Sequence, residues 1–206
     1  MSGAIDDLVA AADQALVVFT TAAGDQRSGC LVGFHTQCSI EPFQYAVWIS
    51  KANRTYRLVP FASHFAVHFL RTGDEQVAEL FGAETGDDID KFARCSWTEA
   101  AGGVPLLAGM PAAVFERRSL FEEEGDHICI VGEPVRVEPQ DFTPMRLSAA
   151  EHLEPGHQSG ERQSPDEAEA EADEPVDDLQ EIAAGFGHEL TPEQGRTEDQ
   201  RGGSLR

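Results

Sequence analysis

Apolar, β-branched and aromatic residues concentrate at 15–21, 29–34, 43–50, 64–70, 113–121 and 127–137, each run bounded by Gly, Pro or Asp. Runs of this length and composition predict β-strands. Helical spacing is confined to three shorter stretches: 4–12 behind a Ser2 cap, 54–62, and 75–81, where Val77, Leu80 and Phe81 share one face after Asp74. Strands outnumber helices and do not alternate with them. That excludes a series of βαβ units and predicts a mainly β fold, an antiparallel barrel or sandwich with helices over its ends.

The pattern stops near residue 150, which divides the chain into a domain, 1–150, and a tail, 151–206. Residues 163–175 contain no large apolar side chain, so nothing there offsets the entropy of ordering, and a disordered acidic tail is expected. Within it Val176, Leu179, Ile182 and Phe186 recur at helical spacing. They predict a short helix over 176–186, either transient or a docking segment for a partner.

Charge sharpens this division. The chain carries 37 acids and 15 bases, a net charge of −22; the tail holds 16 of the acids and only 4 of the bases. Such an excess argues against a nucleic-acid partner, which needs clustered Lys and Arg, and against an anionic membrane surface. No apolar run approaches the roughly 20 residues that span a bilayer, and no secretory pattern opens the chain, so a cytoplasmic protein is expected. Cys30, Cys38, Cys95 and Cys129 form no C-x-x-C pair and read as thiols, with no structural metal implied.

Neither G-x-G-x-x-G nor a P-loop occurs, and the hydrolase and metalloprotease motifs are absent too. The polar cluster that stands out is Ser50-Lys51-Ala52-Asn53-Arg54-Thr55-Tyr56, behind an apolar strand and opening a helical segment. Free N–H groups at a helix start, Ser, Asn and Thr side chains, Lys51 and Arg54 could together cradle one phosphate monoester. The same residues also make a capped helix with an exposed ion pair. At a turn-to-strand junction, His127 follows Gly125-Asp126, where an imidazole can enter a cleft mouth or simply be hydrogen-bonded structure. Asp90-Lys91-Phe92 and Trp97 could wall such a cleft or pack on the core.

These features occur in an order that resembles the flavin reductase-like proteins of the FMN-binding split-barrel class. The matching segments are 17–21, Ser28-Gly29 through Ser39-Ile40-Glu41-Pro42, the 50–56 cluster, Phe65-Ala66-Val67-His68, Asp90-Lys91-Phe92, Gly103-Val104-Pro105-Leu106-Leu107 and Gly125-Asp126-His127, together covering about 12–138. The resemblance implies a Greek-key split β-barrel used as a homodimer, with FMN or FAD at the barrel edge. It implies flavin-phosphate contacts from Ser50, Lys51, Asn53, Arg54 and Thr55, and a ring bordered by the segment from Cys30 through Leu31 and Val32 to Ser39. His127 would lie near the ring and the nicotinamide. The implied activity is hydride transfer from NADH or NADPH to flavin, often for a separate monooxygenase. Alternatives are a flavin- or deazaflavin-dependent reductase of an organic substrate, and a non-catalytic flavin-binding module. The chain departs from the family in Cys30, Val32 and Gly33, where many relatives carry Thr and Ser. It departs again after 138, where a short last strand is expected.

Overall fold

The computed structural model describes residues 2–122 and 124–153. The chain divides after Gln163, and all described residues lie in the first part. The expected tail beyond 153 and its helix at 176–186 lie outside the described residues.

The described elements are α1 (Ser2–Ala11), β1 (Val17–Ala23), β2 (Gln26–Val32), β3 (His35–Ser39), β4 (Gln44–Ser50), α2 (Arg54–Leu58), β5 (His64–Phe69), α3 (Glu75–Gly82), β6 (Trp97–Glu99), β7 (Pro105–Leu107), β8 (Ala112–Glu122) and β9 (His127–Glu138). Seven strands form one antiparallel sheet in the order β2-β1-β5-β8-β9-β4-β3; β6 and β7 pair separately. Although four strands separate β2 from β4 in that order, the two touch, and Cys30, Val32, Val47 and Ile49 share one core. Only a sheet that curls on itself brings them together. The fold is mainly β and antiparallel, as the residue pattern predicts.

Phe65 stacks between Phe19 and Phe115 at the centre of that core, with centroids 5.3 and 5.1 Å apart. Burying each ring contributes about 2–3 kcal/mol. The outer face is covered too: α3 and the segment around Phe92 pack on Leu16, Val18 and Leu70, while Val104 and Leu106 pack on Ala66 and Val114. Strand β1 is therefore buried at all seven positions, which removes polar alternation from its sequence. Its two threonines satisfy their hydroxyls by donating to Pro105 O, at 2.6 Å, and His64 O, at 2.8 Å. Gly29 of β2 has no room for a side chain, since a Cβ would meet Phe19 O at 2.8 Å.

The structure departs from expectation at the separate β6–β7 hairpin, which the residue pattern does not predict, and in three further places. The helix expected over 54–62 is the five-residue α2 followed by a 3-10 turn, Val59–Phe61, because Pro60 cannot donate in a continuing helix. Strand β3 was not expected, because His35-Thr36-Gln37-Cys38-Ser39 is a polar, largely exposed edge. In place of the expected last strand, single bridges join Ala15 to Arg146 and Arg71 to Pro144, and a 3-10 turn covers Leu147–Ala150.

Candidate active site

Strand β4 ends at Ser50, and the turn that follows is held by hydrogen bonds within itself and by one to Asp126. Lys51 N donates to Asp126 O at 2.8 Å and Asn53 N to Ser50 O at 3.0 Å. Ala52 N donates to Ser50 Oγ at 3.3 Å and Thr55 N to Asn53 Oδ1 at 3.0 Å. The backbone donors expected to cradle an anion are thus largely engaged, within the turn or with Asp126. With only five residues in α2, the helix dipole adds little, so attraction for an anion falls on Lys51 and Arg54.

Two cavities flank this turn. One, of about 460 Å³, lies between β2, the end of β4 and the start of β9. Leu31, Val32, Phe34, Trp48, Ile49 and Leu147 make its wall apolar, and Ser50, Lys51, Asn53, Asp126 and His127 supply polar groups. Its size and lining are those of a site for a flat organic ring with a polar end. The His127 ring stands 5.2 Å from that of Phe34, and its Nδ1 lies 2.7 Å from Asp126 Oδ1. That bond holds the Asp126 carboxyl below its ordinary value and commits Nδ1 to it, leaving Nε2 as the nitrogen on the opposite side of the ring.

The second cavity, of about 400 Å³, is charged: Arg27, Arg54 and Lys91 face Asp25, Asp87, Asp88 and Asp90. Arg54 Nη1 donates to Gly86 O, and its Nε lies 3.6 Å from Asp87. Lys91 is 5% exposed and donates to Phe81 O at 3.2 Å; burial lowers its pKa.

Cys30, Leu31, Val32, Ser50, Lys51, Asn53 and His127 therefore converge on the first cavity, while Arg54 lines the second. Thr55 lies buried between them, its hydroxyl 3.0 Å from Ser28 Oγ, and Ser39 sits at the far end of β3 outside both linings. Burial pushes the Cys30 thiol up to about 11, so it is a neutral wall atom. Residue reasoning missed Phe34, Trp48 and Leu147; at 52% exposure, Phe34 carried a signal only as the aromatic that ends the predicted strand 29–34. Among the described residues no group of three or more His, Cys, Asp or Glu could hold a metal.

A curled antiparallel sheet with an aromatic-walled cavity beside a cationic turn defines the class. The family model for the flavin reductase like domain matches residues 10–149, and the chain belongs to that family. Among curated relatives, it is 32% identical over 119 residues to the stachydrine N-demethylase reductase subunit Stc3 of Rhizobium meliloti, covering 55% of this chain and 50% of that one. It is 27% identical over 136 residues to the FMN reductase (NADH) SmoA of Agrobacterium fabrum, covering 65% of this chain and 74% of that one. The chain thus spans half the length of the first relative. Among solved structures, an FMN-binding protein from Thermus thermophilus superimposes with a TM-score of 0.57 at 25% identity, covering 61% of this chain and 70% of that one. The NADH:FAD oxidoreductase SgcE6 of Streptomyces globisporus shares the fold, with a TM-score of 0.58 at 24% identity over 64% of this chain and 80% of that one.

Proposed function

We propose that the protein is an NAD(P)H:flavin oxidoreductase that takes FMN or FAD in the cavity between β2 and β4. The observation that carries this reading is a single cavity whose lining combines an apolar aromatic wall, a cation and an imidazole. Cys30, Leu31 and Val32 form the wall for the flavin ring. Ser50, Lys51 and Asn53 hold the first phosphate, while Arg54 lines the neighbouring charged cavity and buried Thr55 supports the turn from beneath through Ser28. Bound flavin supplies an acceptor for a hydride from NADH or NADPH and passes the electrons onward. His127 orients the nicotinamide through Nε2, its ring steadied by Asp126.

In this reading the curled sheet is a split barrel and the working unit is a cytoplasmic homodimer. Exposed Val135 and Val137, two residues apart on β9, support a second copy there. No described helix is long and apolar enough to cross a membrane. Reduced flavin then goes to a separate monooxygenase component, a role supported by the naming of Stc3 as a reductase subunit and of another relative, from Acinetobacter baylyi, as the reductase component of a flavin-dependent monooxygenase.

Anaerobic stopped-flow absorbance tests this. Mixing protein and FMN or FAD with NADH, and separately with NADPH, is expected to bleach the flavin band far faster than without protein. Flavin that binds and stays oxidised with both donors would overturn the reductase reading.

A further inference from the structure

One of the acids that face Lys51 lies at the end of β8. Glu122, the last residue of β8, pairs with Ile128 of β9. Its Oε1 accepts a hydrogen bond from the Tyr56 hydroxyl at 2.7 Å, and the same oxygen stands 3.5 Å from Lys51 Nζ. Because the Tyr56 side chain packs against the main core, its hydroxyl is a fixed anchor. Both the Tyr56 bond and the Lys51 charge favour the ionised carboxylate, whose pKa is lowered. Across the turn, Asp87 meets Arg54 in the same way. Each cation assigned to the phosphate is thus matched by a carboxylate of the chain itself.

We infer that Glu122 is an internal competitor for the flavin phosphate, holding Lys51 so that flavin exchanges as a substrate; this rests on the flavin reading above. A phosphate reaching Lys51 must share or displace an existing anion, so binding gains only the difference between two ion pairs. Riboflavin has the same ring and no phosphate, and so does not enter the competition.

Glu122→Gln keeps the oxygen that accepts from Tyr56 and removes the charge. Flavin-fluorescence titrations of the full-length protein with FMN and riboflavin are expected to show the FMN Kd falling by about two- to five-fold, the range of a partly exposed ion pair. The riboflavin Kd stays unchanged, and the double variant Lys51→Met/Glu122→Gln loses the gain. An unchanged FMN Kd, an equal shift for riboflavin, or a gain that survives Lys51→Met would each overturn the inference. Wild-type protein that binds neither flavin would instead overturn the flavin reading on which it rests.

Discussion

Two histidines show how burial separates a structural group from one proposed to work on a bound molecule. His68 of β5 is fully buried: its Nδ1 donates to Val18 O at 3.1 Å, and its Nε2 accepts from Leu107 N at 2.9 Å. One ring thereby fastens the β6–β7 hairpin to β1, and both nitrogens are spent on backbone. The His127 side chain is 26% exposed and has one carboxylate partner, Asp126, which is itself 91% exposed. Two bonds in the dry interior fix a tautomer and a position; one bond at a wet rim sets a ring without immobilising it. Chemistry on a bound molecule needs the second arrangement.

The contrast is broken most severely at His68. His68→Leu strands a buried carbonyl and a buried N–H, and is expected to cost about 2–5 kcal/mol in urea unfolding, with the activity of the surviving folded protein little changed. Acid acts on the same group. Burial pushes the His68 pKa from 6.5 down to about 4, so between those values the unfolded chain binds the extra proton. The stability contributed by neutral His68 is complete above about pH 6.5 and falls as pH drops through the folded value, by about 3 kcal/mol in all. Denaturation midpoints followed from pH 7 to pH 4 measure this, and His68→Leu should flatten that portion of the profile.

At the rim the signs reverse. His127→Ala is expected to leave unfolding within about 0.5 kcal/mol of wild type while lowering flavin-reductase turnover about 10- to 100-fold, with FMN affinity retained. Unchanged steady-state rates would remove His127 from the chemistry. The smallest effect belongs to its partner: Asp126→Asn should lower turnover by about two- to three-fold, because an exposed carboxylate contributes little to fixing the ring.

Six sheet strands were legible because their apolar runs are long, and β1 and β5 are covered on both faces. Strand β3 was hidden by its polar, exposed residues, and β6 and β7 by being three residues each. The turn at 50–56 was legible as a cationic cluster, but not its division. Successive residues entering a helix point about 100° apart, so Asn53 and Arg54, adjacent in sequence, reach different cavities. Phe34 and Trp48 face each other across the polar β3–β4 pairing, Trp48 N donating to Phe34 O at 2.9 Å, and Leu147 joins them only through the return of the chain after β9, which no local pattern encodes.

The most direct test of the central claim, that this family member works at the cavity beside His127, is a crystal structure of the protein grown with FMN. The account predicts ring density against Leu31, Val32, Phe34 and Trp48, with the phosphate at Ser50, Lys51 and Asn53. A ring seated in the charged cavity between Arg27, Arg54 and Lys91 would contradict it.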